Sequence, residues 1–146
     1  MKTLINIDVP ELGPAIDFYS AALSLSLSRT IDGDVAELTG ASSTLYLLRK
    51  AADSRPVKSL GEVRQYTRHW TPVHVDFVVD DIEEAAKRAV NAGALQESEC
   101  VHWKGSKCIS FSDPFGHGFC LIEFTGETYS GEAALDAHCQ PGHFKR

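Results

Sequence analysis

The sequence lacks a long apolar run. No apolar stretch approaches the roughly 20 residues that a membrane-spanning helix needs. The first ten residues, MKTLINIDVP, also lack the apolar stretch of a signal peptide. We therefore expect no membrane segment and a cytoplasmic location.

Basic residues are few. The chain has 14 Lys and Arg against 20 Asp and Glu, which gives a formal charge of −6 at pH 7. Because this charge repels phosphate backbones and anionic lipids, we expect neither nucleic acid nor a membrane as a partner. One short stretch, RQYTRHW at residues 64–70, mixes basic and aromatic side chains, but a single such stretch in an acidic protein is weak support for RNA binding.

Cysteine is scarce as well, with four residues and no CxxC pair. This usage excludes a disulfide-rich secreted scaffold and is typical of a reducing cytoplasm. If Lys104 and Gly105 form a hairpin tip, Cys100 and Cys108 can face each other across two strands. The cytoplasmic location argues against a disulfide between them.

What the chain does contain is enough apolar residues for one core. At 146 residues with 43% hydrophobic content, it is long enough to fold without disulfides or a structural metal. We therefore predict a single domain over residues 1–146.

A pattern of one strand, one helix and three strands occurs twice. We predict module one at 3–50, a linker at 51–71, module two at 72–124 and a C-terminal tail at 125–146. The predicted strands lie at 4–9, 25–30, 35–38, 43–50, 72–79, 94–102, 107–111 and 119–124, and the helices at 10–23 and 80–93. The pattern predicts an α+β fold of two βαβββ modules. The tail contains a possible short helix at 131–138, and its His138, Cys139 and His143 are more typical of a loose end than of a metal site.

The first strand of each module alternates between an apolar and a polar face. Asn6 and Asp8 share a face in module one, and His74 and Asp76 share the matching face in module two after a shift of 70 residues. Polar side chains on an inward face are costly to bury unless water or a ligand meets them. Two interpretations stay open: a wet binding cavity, or a face that opens onto solvent.

The residues resemble the vicinal oxygen chelate superfamily, which includes glyoxalases, bleomycin-resistance proteins, fosfomycin-resistance enzymes and extradiol dioxygenases. The resemblance covers residues 3–124 and is carried by IDVPELGPAIDFY, HVDFVVDDIEEAAKRAVNAGA and FSDPFGHGFCLIEF in that order. It implies a mixed sheet curved into a cup, with the helices outside and a ligand inside. It also implies a homodimer.

In metal-using relatives, the resemblance implies ligands at four positions, which are Leu4, Tyr46, His74 and Cys120 here. Of these residues only His74 is a standard ligand, because Leu4 has no donor atom and tyrosine ligates rarely. A thiolate at Cys120 would favour zinc over harder metals. We therefore predict no metal and no other cofactor; if a metal is present, we expect a divalent cation near His74.

The predicted ligand-binding residues are His74, Asp76, Asn6, Asp8, Tyr46, Cys120 and Trp70. Two roles stay open for His74. It either forms a hydrogen bond to a pocket neighbour, or it contacts a ligand or transfers a proton. In the second case, Asp76 would set the tautomer of the imidazole. Tyr46 either lines the cavity or packs there. Cys120 lies between Phe119 and Leu121 with no cation nearby, which favours a small buried hydrophobe in the pocket wall.

The stretch 64–70 is best interpreted as a wall or lid over the cavity mouth. Its Trp70 either stacks on a ligand or packs as part of the structure. His117 lies in a turn, where exposure is the simpler expectation.

Three functions fit these observations. The leading hypothesis is a metal-independent protein that binds a polar or cationic small organic molecule in the cup. The alternative is a metal-dependent lyase or isomerase of the glyoxalase type, in which a cation polarises a carbonyl. The third is a scaffold or dimerisation unit that binds no ligand.

Overall fold

The structure is a computed structural model, described for residues 1–131. The predicted helix at 131–138 and the residues His138, Cys139 and His143 lie outside the described range, apart from the first residue of that helix. Within that range, neither helix has the length and apolar content needed to cross a membrane.

The order of elements confirms the repeated pattern. Module one contains β1 (Leu4–Val9), α1 (Leu12–Leu23), β2 (Ser26–Ile31), β3 (Val35–Thr39) and β4 (Thr44–Arg49). Module two contains β5 (Val75–Val78), α2 (Ile82–Ala92), β6 (Leu95–Gln96), β7 (Val101–Trp103), β8 (Ser106–Ser112) and β9 (Gly118–Phe124). Residues 50–74, which join the modules, contain neither helix nor strand.

Each module forms one mixed sheet, and the two sheets have the same plan. The strand orders are β1-β4-β3-β2 and β5-β9-β8-β6, with β7 also pairing with β8. In both sheets the first strand is an edge strand that pairs in parallel with the last strand, and the other pairs are antiparallel. This plan confirms the α+β fold of paired modules predicted from the sequence.

The predicted strand at 94–102 is in fact two short strands. The side chain of Ser98 explains the break, because its Oγ accepts the backbone N–H of Ser110 at 2.9 Å. One residue earlier, Glu97 donates its N–H to the carbonyl of Ser110 at 2.8 Å. A side-chain acceptor thus replaces a backbone carbonyl, and the chain leaves the sheet until Val101.

The helices begin and end where the local sequence permits. In α2 the carboxylate of Asp81 accepts the backbone N–H groups of Glu83 and Glu84, and Gly93 ends the helix at φ +117°. Aspartate before the first turn and glycine after the last turn are residue types that commonly cap helices. In α1 no side chain caps the first turn, and Ser24 adopts the left-handed conformation after the last residue.

The two modules pack against each other within one chain. Tyr19 of α1 donates a buried hydrogen bond to the carboxylate of Asp113, which precedes β9. The rings of Phe18 and Phe115 lie 6.3 Å apart, edge to face. Both modules therefore contribute to one hydrophobic core, which lies between the helices and one face of each sheet.

The other face of each sheet points away from the helices, and we call it the cup face. Asn6 pairs with Tyr46 on this face in module one, and Asp76 pairs with Cys120 in module two. Alternation along the strands explains the arrangement, since Ile5, Ile7 and their counterparts in the other strands face the core. The predicted inward residues therefore share a face.

The hairpin tip is at Lys104 and Gly105, both with positive φ. Val101, and not Cys100, is the residue opposite Cys108. Cys100 is exposed, forms no disulfide, and places its Sγ 3.8 Å from Nε2 of His102.

Candidate functional site

Three side chains that could bind a metal ion or exchange a proton lie together on the cup face of module two. The ligand atoms of His74, Asp76 and Cys120 all lie within 4.8 Å of one another. Nε2 of His74 is 3.2 Å from Oδ1 of Asp76, and Asp76 lies directly across from Cys120 in the parallel pair β5–β9. His74 just precedes β5, so its side chain points to the same side as that of Asp76.

Cys120 is the most deeply buried member of this group. Its relative exposure is 0%, and it packs in a small cluster with Cys108 and Ile122. Its Sγ lies 3.4 Å from Oγ of Ser110 on the neighbouring strand. Cys120 is thus positioned behind His74 and Asp76, whose side chains are about a quarter exposed.

Residues 64–70, which we call the strap, cross from module one to module two. Arg64 forms an ion pair with Asp8 of β1 at 2.7 Å. Arg68 contacts both carboxylate oxygens of Glu97 at 2.6 Å. Charged contacts with both modules therefore hold the strap in place, even though it contains no regular secondary structure.

Two glycines next to β9 allow the strap to approach closely. A Cβ at Gly116 would lie 2.6 Å from the carbonyl oxygen of Thr67, and Gly116 also has φ +95°. A Cβ at Gly118 would lie 2.8 Å from the ring of Trp70. A side chain at either glycine would displace the strap.

The strap places Trp70 against the site. The ring centroids of Trp70 and His74 lie 4.8 Å apart with 43° between the planes. The guanidinium of Arg68 lies 5.5 Å from the centroid of Trp70, within the range of a cation–π contact. Because Trp70 remains 50% exposed, part of its ring is available to a ligand.

A cavity of about 340 Å³ opens between the modules beside His74. Its polar and charged lining residues are Asn6, Asp8, Tyr19, His69, Thr71, His74 and His117. Its apolar lining residues are Ile7, Val73, Val75, Phe77 and Phe119, with Gly118 completing the wall. Its size and mixed lining fit a small organic molecule.

The charge of this cavity is more balanced than the sequence indicates. The carboxylate of Asp8 is compensated by Arg64, and both side chains are partly buried. His117 is half-buried, contrary to the expected exposure, and its Nε2 lies 2.7 Å from the carbonyl oxygen of Asp8. Three imidazoles and one compensated carboxylate thus favour a polar guest over a strongly cationic one.

Tyr46 belongs to a separate network in module one. Its hydroxyl donates to Glu37 at 2.8 Å, and Arg29 contacts the same carboxylate at 3.2 Å. The hydrogen bond to Glu37 raises the pKa of Tyr46, and the hydrogen bonds from Arg29 and then Tyr46 lower the pKa of Glu37. Tyr46 does not line the cavity beside His74.

The structure therefore brings together most of the predicted site residues. Asn6, Asp8 and His74 line one cavity, Trp70 contacts His74, and Asp76 and Cys120 adjoin His74. The partners Arg64, Glu97 and Ser110 were not predicted as site residues. Arg64 lies on the strap, Glu97 in the loop after β6 and Ser110 on β8. Their contacts depend on long-range packing that periodicity does not reveal.

This paired-module architecture defines a member of the vicinal oxygen chelate superfamily. A family sequence model described as "Glyoxalase-like domain" matches residues 4–122. The chain therefore belongs to the glyoxalase-like domain family. No curated protein gives a significant match.

Many solved structures share the fold. A fosfomycin resistance protein, FosX, from Listeria monocytogenes has 18% identity and a TM-score of 0.65, over 86% of this chain and 93% of its own. A glyoxalase/bleomycin resistance protein/dioxygenase from Nocardioides has 20% identity and a TM-score of 0.60, over 92% and 91%. A lactoylglutathione lyase from Agrobacterium tumefaciens has 21% identity and a TM-score of 0.57, over 84% and 91%. At these identities the similarity shows the fold alone.

The residues at the four metal positions of the superfamily do not fit a metal shared by the two modules. Leu4 offers no donor atom, and the hydroxyl of Tyr46 is hydrogen-bonded to Glu37. Arg29 places a positive charge in the same network. Among these four positions, only His74 and Cys120 of module two therefore keep a usual donor atom.

Proposed function

We propose that the protein binds a small polar organic molecule in the cavity between the modules, and that binding needs no metal. The observation that supports this most is the cavity of about 340 Å³ itself, with polar side chains from both modules and the strap at its edge. A cavity of this volume can enclose most of a small ligand.

The lining indicates the kind of ligand. The imidazoles of His69, His74 and His117 and the amide of Asn6 offer both donors and acceptors. The exposed part of the Trp70 ring offers a surface for stacking. We therefore propose a planar polar molecule, and we expect little preference for cations because Arg64 compensates Asp8.

The named relatives are consistent with this class of function. The names of the similar structures refer to resistance to bleomycin or fosfomycin and to conversion of lactoylglutathione, all of which are small molecules. Their identities are too low to carry over any of these compounds.

A thermal-shift screen with chelator present tests the proposal. Neutral and cationic aromatic compounds would be compared, and a ligand at 100 times its Kd should raise Tm by roughly 5–10 °C. Asn6→Ala should reduce the shift, whereas Tyr46→Phe, on the same face but outside the cavity, should not. The proposal fails if no compound in a broad set shifts Tm, or if both variants behave alike.

A second candidate is a metal-dependent lyase or isomerase, which the grouping of His74, Asp76 and Cys120 favours. A cation held there would polarise a substrate carbonyl. The residues themselves would orient the substrate, with Trp70 against its plane and a cavity imidazole accepting a proton. Elemental analysis of the purified protein and assays with added metals test this candidate; absence of both metal and activation would reject it.

A further inference from the structure

We propose that a second cavity between the modules binds a small carboxylic acid with a compact apolar body. This cavity has a volume of about 370 Å³. Its lining includes Ile5 of β1 and residues 75–79 of β5. The cavity beside His74 instead reaches residues 6–8 of β1. The proposal does not rest on the proposed function, because it concerns a different cavity and a different class of ligand.

The two cavities occupy corresponding places in the repeated pattern. Residues 40–43, in the loop before β4, line the second cavity, and His117, in the loop before β9, lines the cavity beside His74. Within the described residues, β1 and β5 do not pair with each other, which leaves a gap between the sheets. His69, in the strap, borders one end of this gap, and Arg88 of α2 borders the other. The same plan therefore produces two cavities with different linings.

The inner wall of the second cavity is apolar. Its most buried lining residues come from both modules and are Ala22, Leu25, Ala85 and Leu121. An apolar ligand body that displaces water from such a wall gains the hydrophobic contribution to binding. The volume lies near the lower end of the range for ligand pockets, which favours a small molecule over a long chain.

Arg88 supplies a positive charge at this cavity. Its Nη1 donates a hydrogen bond to Oγ of Ser24 at 3.1 Å, and within residues 1–131 it forms no ion pair. By contrast, four other arginines each pair with a carboxylate, and these are Arg29, Arg49, Arg64 and Arg68. A guanidinium can donate two parallel hydrogen bonds to a carboxylate, and the hydroxyls of Ser42 and Ser43 add further donors. The lining therefore favours an anionic group on the ligand.

Asp76 is an acidic residue of the lining and opposes an anion. Its position in β5 directs its side chain to the cup face, where Oδ1 lies 3.2 Å from Nε2 of His74. Asp80 and Asp81 line a neighbouring depression together with Arg88, and Asp81 accepts two backbone N–H groups of α2. Because these carboxylates lower the positive potential near Arg88, we expect a modest affinity for the acid.

Three cyclohexane compounds of nearly equal shape test the charge preference. Cyclohexanecarboxylate, cyclohexanecarboxamide and cyclohexylmethylamine would be titrated into the ¹⁵N-labelled full chain with chelator present, and binding followed by NMR. We expect the carboxylate to bind about five- to tenfold more tightly than the amide, because its hydrogen bonds to the guanidinium are charge-assisted, and the amine to bind most weakly. Backbone signals of residues 40–43 and 78–79 should shift, whereas those of Asn6 and His117 should not.

Variants of two neighbouring cations in α2 identify the charged group. Arg88→Gln should weaken carboxylate binding to the level of the amide and leave binding of the amide unchanged. Arg88→Lys should keep part of the preference, because lysine retains the charge but not the paired donors. Lys87→Gln removes a cation that pairs with Glu84 at 3.3 Å and does not line the cavity, so this variant should bind as the wild type does.

Four results would overturn the proposal: tightest binding by the amine, no binding by the wild type, an unchanged preference in Arg88→Gln, or signal shifts confined to Asn6 and His117. The last result would assign the compound to the cavity beside His74 instead. Circular dichroism verifies folding, and the wild-type shifts locate the site even if Arg88→Gln unfolds. Planar polar ligands of the cavity beside His74 are measured separately with Asn6→Ala, so the two proposals can fail independently.

Discussion

Tyr19 connects the modules through a buried hydrogen bond. Its hydroxyl donates to Asp113, whose other oxygen accepts the backbone N–H groups of Phe115 and His117 at 2.8 Å. Burial, followed by the charge and hydrogen bond of Asp113, raises the pKa of Tyr19 well above its ordinary value. The contact therefore depends on a protonated tyrosine.

We expect Tyr19→Phe to lower the free energy of unfolding by about 1.5–3 kcal/mol, the usual contribution of a hydrogen bond to a charged group. Urea denaturation at pH 7 measures the change. Tyr66→Phe is the matched control, because its hydroxyl bonds a carbonyl at a less buried position, so the loss should be smaller.

The sign of the pH effect follows from the raised pKa. Tyr19 contributes its full stabilisation below the unfolded-state pKa of about 10 and loses it as the pH rises through the folded-state pKa. Wild-type stability should therefore fall more steeply above pH ~10 than that of Tyr19→Phe. Parallel curves for the two proteins would contradict the assignment.

Gly118 controls how closely Trp70 approaches the site. Because an added Cβ would meet the indole at 2.8 Å, we expect Gly118→Ala to displace Trp70 from His74. Organic-ligand affinity should fall about tenfold, corresponding to ~1.4 kcal/mol of lost contact, and indole fluorescence should change. Gly61→Ala, where an added Cβ would meet nothing, is the control; equal effects of the two variants would contradict the role of Gly118.

At the scale of single residues, the sequence predicted which face of a strand a side chain lies on better than it predicted which residue that side chain contacts. The period of two placed Asp76 on the same face as His74, and the structure confirms that they are in contact. Glu37 was not predicted as a partner of Tyr46, because their contact depends on the antiparallel register of β3 and β4. Such registers depend on turns and side-chain packing that one sequence does not display.

At the scale of elements, the strap determines the charge of the cavity. Arg64 compensates Asp8 and lies only 15% exposed, so its removal leaves a partly buried carboxylate beside the cavity. The strap is therefore expected to influence which ligands bind as well as to cover the cavity edge.

We expect Arg64→Gln to raise the affinity for cationic relative to neutral aromatic compounds by about three- to tenfold, with the gain reduced at high salt. Thermal-shift titrations at two salt concentrations measure the ratio. Arg49→Gln, which removes an exposed pair with Asp34, is the control and should leave the ratio unchanged. An unaltered ratio in Arg64→Gln would show that Asp8 does not face the ligand.

The elements themselves were largely predictable. The helix predicted at 80–93 is α2 in the structure, which begins after the Asp81 cap and ends before Gly93. The break between β6 and β7 was not predicted, because a serine side chain replaces a backbone acceptor there. The path of the strap was also not predictable, because it depends on contacts with distant elements.

At the scale of the whole molecule, apolar side chains remain exposed near the edges of the sheets. Val73, Val78 and Leu95 are 83%, 65% and 65% exposed. The superfamily resemblance implies that a second copy of the chain covers these side chains. The homodimer stays a prediction.

We expect sedimentation velocity to show a dimer at micromolar concentration and Val78→Glu to shift it towards monomer, because a buried charge opposes association. Val57→Glu, which changes an exposed valine of the linker, should remain dimeric. A monomeric wild type would contradict the prediction.

The hydrogen bond between Tyr19 and Asp113 joins positions 94 residues apart in the chain. Contacts of such separation slow folding, because a long loop must close before they form. Each module can pair its own strands earlier, so we expect the cavity between modules to be completed late. A ligand of that cavity would therefore slow unfolding more than it speeds folding.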